Sequence, residues 1–239
     1  MPDGVTLEEG ALIEPLSVAV HACRKGGVTL GSRVLVCGAG PVGIMCLLTA
    51  KAFGASAVEV TDIDEEKLKV TWLRETSTLA SQLKLALHVL SQFAKSMGAD
   101  RTILVVKGED AIDMGRTMFD GDGADVSIEC SGAESSVRLA LLATGPGGVV
   151  VLVGLGPAEI KIPVIRTCMR REVEVRGIFR YANCYPKAIS MVAAGKLDLK
   201  PLVSHRFALE NVQRAFETAR NPACGAMKII INCSGSKIQ

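Results

Sequence analysis

Three glycines spaced Gly38-x-Gly40-x-x-Gly43, trailed by an acid at Asp62, carry the clearest chemical signal in the chain. In such a turn the first glycine permits a tight bend and the second lets a pyrophosphate approach the backbone. The third allows a helix to pack closely on a strand. The N–H groups that open the helix then face the phosphates, with Val42 in its first turn. A carboxylate at Asp62 can accept both ribose hydroxyls and would repel a 2′-phosphate, so the pattern predicts NAD rather than NADP. A second glycine turn, Val153-Gly154-Leu155-Gly156, closes an apolar run; spacing alone leaves open whether it faces a ligand or simply ends a strand. Glu14, set among Ile13, Pro15 and Leu16, is a carboxylate in apolar company and needs a partner, structural or catalytic. Arg180-Tyr181 offers a cation and a phenol for a polyhydroxy ligand, and equally fits an ordinary surface pair.

The elements that must position these groups alternate. Ser32–Cys37 reads as a buried strand, Ile44–Phe53 as a helix and Ala57–Asp62 as the next strand, one βαβ unit around the glycine turn. Further strands are predicted at Arg101–Val106, Ala124–Glu129, Gly148–Val153 and Val173–Phe179, with a helix at Ala133–Leu142. This is the pattern of an α/β, doubly wound parallel sheet, the Rossmann arrangement. Helices at Asn183–Ala194 and Leu209–Ala219 and a strand at Met227–Asn232 follow, while Leu7–His21 reads as a short polar-apolar opening.

Composition removes several function classes. Lys+Arg 27 against Asp+Glu 25 leaves a net charge of +2 with no basic run, so no nucleic-acid partner is expected. No apolar stretch is long enough for a membrane span. Met1–Gly4 lacks the basic and apolar regions of a secretory signal, and the eight cysteines contain no C-x-x-C pair. Reduced thiols in the cytoplasm are therefore expected. His21, His88 and His205 are too scattered to form a ligand cluster, and no G-x-S-x-G elbow supports hydrolysis.

The segments Glu8–Ser17, Val36–Pro41, Val153–Gly156 and Gly177–Tyr181 resemble the sorbitol dehydrogenases, polyol-oxidising members of the zinc-dependent medium-chain dehydrogenase/reductase family. The resemblance implies Glu14 as the catalytic carboxylate at the zinc, and as a substrate contact. It implies that Val42, Asp62 and Lys67 line the adenosine half of NAD, with Gly38, Gly40 and Gly43 at the phosphates. Val153, Gly154 and Leu155 with Ile178, Phe179 and Arg180 would line the nicotinamide side. Arg180 and Tyr181 would bind hydroxyls of a small polyol, and NAD⁺ would take a hydride from a secondary alcohol activated by zinc.

Two departures qualify that expectation. The family's GroES-like N-terminal domain supplies a Cys and a His-Glu pair to the zinc. No His-Glu dipeptide occurs here and no cysteine precedes Glu14. Zinc needs about three protein ligands, so the chain alone is expected not to hold zinc and to be inactive. Residues 1–16 and 181–239 then read as remnants of the catalytic domain around a nucleotide-binding unit at 17–180, and self-association is expected through apolar surface near Leu12, Ile13 and Ile229–Ile231. The other departure is an added segment. Removing Val70 to Gln92, 23 residues, joins Lys69 to Phe93 and restores the family register. Valine codons begin GT and one glutamine codon ends AG, the usual intron borders. Retained intron sequence, with Met1 then an internal methionine, and a genuine helical insertion both fit. Two other functions stay open: a non-catalytic NAD-binding module, or a related zinc alcohol dehydrogenase with another substrate.

Overall fold

The computed structural model describes residues 2–64, 91–106, 114–115, 117–221 and 224–233. Lys67, Trp72, His88 and most of the added segment lie outside them. Six parallel strands form the main sheet, the inner ones from β-branched apolar residues: β1 (Arg33–Cys37), β2 (Ala57–Asp64), β3 (Arg101–Val106), β4 (Ala124–Glu129), β5 (Thr144–Leu152) and β6 (Glu174–Gly177). Their order, β3-β2-β1-β4-β5-β6, confirms the doubly wound sheet. Successive side chains of β1 go to opposite faces: Val34 and Val36 join one core, Leu35 and Cys37 the other. Both faces of β1 are covered, which is why it reads as a continuous apolar run.

Five helices are described: α1 (Leu7–Gly26), α2 (Pro41–Ala52), α3 (Glu134–Ala143), α4 (Tyr185–Ala193) and α5 (Val212–Arg220). A helical run at residues 91–96 leads into β3. None of the described helices is long and apolar enough to cross a membrane. Outside the main sheet, β7 (Val203–Ala208) pairs in parallel with β8 (Lys228–Asn232). The sequence pattern does not predict β7, because Ser204, His205 and Arg206 interrupt its apolar residues.

The largest difference from the sequence expectation is α1, a 20-residue helix where a short opening is predicted. A capping box starts it: the Glu9 N–H donates to Thr6 Oγ1 at 3.2 Å, and the Thr6 N–H donates to Glu9 Oε2 at 2.9 Å. Gly27, at φ 77°, ends it. Pro15 lies inside the helix, and the Ser17 hydroxyl donates to the Ile13 carbonyl at 2.8 Å. Leu12 and Ile13, expected at the surface, are only 1% and 2% exposed. They share a core with Ala188 and Val192 of α4 and with Leu197, Leu199 and Leu202. Ile229, Ile230 and Ile231 are half-buried. The helix passes Leu16–Ser17 without a break.

Two carboxylates brace the amino ends of the strands. Asp125 accepts from the Arg33 backbone N–H at 2.8 Å and from its guanidinium at 2.9 Å. Asp100 accepts from the Val58 N–H at 2.6 Å and pairs with Lys51. Burial pushes each carboxyl up, but these donors outweigh it and hold both below the usual carboxylate range. A depressed folded-state value contributes stability that is present above the unfolded value, near pH 4, and is lost as pH falls through the folded one. Asp125→Asn should therefore be less stable than the parent at pH 7 and converge with it near pH 2, as read by urea unfolding across pH.

Candidate functional site

Because the main-sheet strands are parallel, their carboxyl ends gather on one edge, and the order reverses between β1 and β4. Ligands of such sheets lie in that crevice. Cys37 ends β1, and Gly38 follows at φ 109°, its N–H donating to the Thr61 carbonyl at 2.7 Å. Gly40 caps α2 with extended backbone and no side-chain hydrogen bond, and Pro41 occupies the first turn. The first N–H groups of α2, on Val42 and Gly43, thus have no side-chain cap and no intrahelical acceptor. A Cβ on Gly40 would meet nothing within 4 Å, whereas one on Gly43 would overlap the Gly38 carbonyl oxygen. The turn is tight behind and open in front, a cradle that fits a pyrophosphate.

Asp62 lies opposite Leu104 of β3. The strand runs on to Asp64, so Asp62 is inside β2 rather than at its end. With Ala39, Val60, Ala94 and Thr102 it lines a cavity of about 10 Å³, the size of one water. After β5, the Val153 and Gly154 N–H groups both donate to the Glu129 carbonyl at 2.9 Å, and Leu155 stands 87% exposed. Gly154 abuts the Ser131–Gly132 backbone so closely that a Cβ there has no room.

Glu129 is absent from the sequence-derived site, yet it organises this edge. Buried at the end of β4, its carboxylate accepts from the Ser131 N–H (2.8 Å), the Gly132 N–H (3.0 Å) and the Ser136 hydroxyl (2.7 Å). A glutamate at a strand end followed by Cys-Ser-Gly was the available signal.

Beyond β6, the Ile178 N–H donates to the Leu152 carbonyl at 3.1 Å. Arg180 and Asn183 both take left-handed backbone, at φ 55° each, an unfavourable state for residues with a Cβ. The Arg180 guanidinium lies 5.7 Å over the exposed Phe179 ring. Tyr181 turns to Tyr185, with hydroxyls 3.5 Å and ring centroids 5.2 Å apart. The loop is tied down by Cys184, whose sulfur accepts from Arg24 at 3.6 Å and lies 3.9 Å from His21 Nδ1.

Glu14 is not in the apolar surroundings its neighbours suggest. The helix turns Ile13, Pro15 and Leu16 inward and leaves Glu14 exposed. Its charge reaches Tyr185, whose phenol is pushed up to about 12 by the hydrogen bond with Tyr181, desolvation and the charge around it, that of Glu14 included. Tyr181 and Tyr185 thus touch, and Glu14 acts on Tyr185 through its charge; Tyr185 carried no signal in sequence beyond its place at a helix start. The described residues do not fit a zinc centre, since no three His, Cys, Asp or Glu side chains converge among them.

Residues 86–194 match the zinc-binding dehydrogenase family. Over 98% of its length the chain is 46% identical to sorbitol dehydrogenase of Rattus norvegicus, and it spans 58% of that protein. The chain is a sorbitol dehydrogenase homologue. Among solved structures, it resembles an Escherichia coli oxidoreductase/dehydrogenase of unknown specificity at 29% identity and TM-score 0.79, over 98% of this chain and 60% of that one. It also resembles L-idonate 5-dehydrogenase of E. coli at 29% identity and TM-score 0.75, over 97% of this chain and 59% of that one. The homologue therefore spans somewhat over half the length of the proteins it matches.

Proposed function

We propose that this sorbitol dehydrogenase homologue is the cofactor-holding part of an NAD-dependent polyol dehydrogenase. The observation that carries the reading is the uncapped start of α2 behind the open face of Gly40, at the point where the sheet order reverses. Gly38, Gly40, Val42 and Gly43 would hold the pyrophosphate. Asp62, with Lys67 outside the described residues, would take the adenosine ribose and disfavour a 2′-phosphate. Val153, Gly154, Leu155, Ile178, Phe179 and Arg180 would face the nicotinamide. When bound, NAD⁺ accepts a hydride from a secondary alcohol. Glu14 and Tyr181, with Arg180 on the same loop, are the groups offered to substrate hydroxyls; L-idonate 5-dehydrogenase and sorbitol dehydrogenase both carry names of polyhydroxy substrates.

In this reading the nucleotide-binding unit spans residues 17–180, and residues 1–16 and 181–239 belong to the catalytic part. Self-association is supported by the exposed apolar side chains Ile165, Met169 and Val175 at the β6 side of the sheet. The eight cysteines are unpaired, which suits a reducing compartment such as the cytoplasm.

A second reading, a non-catalytic NAD-binding module, is favoured by the missing zinc donors among the described residues. Calorimetric titration tests both. NAD⁺ should bind and NADP⁺ should bind roughly tenfold or more weakly, about 1.4 kcal/mol, with Asp62→Ala narrowing the gap. Heat from neither nucleotide would overturn the proposal. Sorbitol-dependent NADH formation by the isolated chain, with about one zinc bound, would favour the full enzyme over the module.

A further inference from the structure

We propose that Cys46 and Cys130 form an oxidisable dithiol that closes to a disulfide beneath the Gly38–Gly43 turn and weakens nucleotide binding when closed. The disulfide stands on geometry alone; its effect on the nucleotide rests on the NAD-binding reading above.

Cys46 is buried in the body of α2, and Cys130 is the first residue after β4. Their sulfurs are 3.9 Å apart although the residues are 84 positions apart in the chain. An S–S bond is about 2.05 Å long, so closure asks for an approach of about 2 Å. The two residues belong to the elements that meet where the sheet order reverses, directly behind the glycine turn. Cys130 is half-buried, the less enclosed of the two residues, and is assigned the first encounter with the oxidant. Cys46, with no exposed surface, is placed to resolve it.

The step balances with a peroxide as the oxidant. The Cys130 sulfur attacks the O–O bond, one water leaves, and a sulfenic acid forms. The Cys46 sulfur then attacks it, the S–O bond breaks and a second water leaves. Two electrons pass from the thiols to the peroxide, and a small dithiol reverses the change. Cys46 beside it, burial and the Glu129 carboxylate hold Cys130 well above the usual thiol range, while Cys37 on β1 and Cys23 on α1 lie nearby and are themselves buried and protonated. Little thiolate is present at neutral pH, so oxidation is slow there and accelerates as pH rises.

Closure would be felt at the turn. The Cys130 N–H donates to the Cys37 carbonyl at 2.8 Å, and the Cys130–Ser131 peptide lies 3.5–3.6 Å from where a Cβ on Gly38 would stand. Moving Cys130 moves the floor under Gly38 and the backbone against Gly154.

The test treats the whole chain with hydrogen peroxide and maps its peptides without reduction. A Cys46–Cys130 peptide pair two hydrogens lighter than the two thiols is expected, forming faster at higher pH. NAD⁺ affinity of the oxidised chain should fall roughly tenfold or more and return on reduction. Cys46→Ser, treated alike, should keep its NAD⁺ affinity. Oxidation confined to the exposed Cys224 and Cys233 would overturn the disulfide. An unchanged affinity in the cross-linked chain, or an equal loss in Cys46→Ser, would overturn the coupling. If the reduced chain binds no NAD⁺, the nucleotide reading fails, while the peptide map still decides the disulfide.

Discussion

Gly43→Ala should abolish NAD⁺ binding and destabilise the fold by about 3 kcal/mol, the upper range for forcing a methyl into a closed space. A Cβ at Gly43 would overlap the Gly38 carbonyl oxygen and lie 3.4 Å from Val36 Cγ1. Neither neighbour can yield cheaply. The Gly38 peptide is fixed by its hydrogen bond to Thr61, and Val36 is buried in the middle of the sheet. Relief must come from lifting α2 off β1, which also carries the helix N–H groups away from the pyrophosphate. Gly40→Ala separates the site from the fold. Its backbone is extended at φ −70° and its would-be Cβ meets nothing, so stability should change by less than about 1 kcal/mol. Its methyl nevertheless stands in the space left for the phosphates, and NAD⁺ affinity should drop. Urea unfolding and calorimetry on the two variants give the comparison; a Gly43→Ala chain that binds NAD⁺ normally would mean the turn does not hold the nucleotide.

That contrast depends on a part of the molecule that was legible from sequence. The β1–α2–β2 unit announces itself because each local preference agrees with the fold. β-branched strands, glycines at the bend, an apolar helix and an acid on the second strand all point one way. The third, fourth and fifth strands of the sheet were readable for the same reason, though β5 begins at Thr144 rather than Gly148. Its Gly145-Pro146-Gly147-Gly148 run looks like a turn, and only pairing of Thr144 with Ala124 draws it into the ladder.

Where reading failed, tertiary context overruled a local signal. Pro15 argues against a helix, yet α1 runs through it, because capping at Thr6 and burial of its apolar residues outweigh one lost hydrogen bond. The site shows the same division. Glycines and Asp62 are recognisable by spacing, whereas Glu129 acts through a folded turn and Tyr185 acquires its place from Tyr181. Arg180 and Tyr181, adjacent in sequence, go to different partners because Arg180 adopts left-handed backbone.

Removing residues 1–16 should unfold the chain rather than release a trimmed nucleotide-binding unit. Residues 1–16 belong with the catalytic part in the reading above, yet they do not pack as a separate body. Leu12, Ile13 and Leu16 are instead 1%, 2% and 0% exposed and share one core with Val34, Val36 and Ile44 of the β1–α2 unit. Truncating one such leucine, as in Leu16→Ala, should cost about 3 kcal/mol. Deletion removes all three, together with the capping box that starts α1, against a total stability of about 5–15 kcal/mol for a typical domain. Phe216→Ala on the exposed face of α5, a residue 61% exposed, should change stability by less than about 0.5 kcal/mol and serves as the control. Circular dichroism melts of the three variants decide the matter. A cooperative transition in the 17–239 chain close to that of the parent would establish the sheet and its remaining helices as a unit that folds without α1's first turns; its loss would make α1 the element that joins the cofactor edge to the Tyr181–Tyr185 loop through a single shared core.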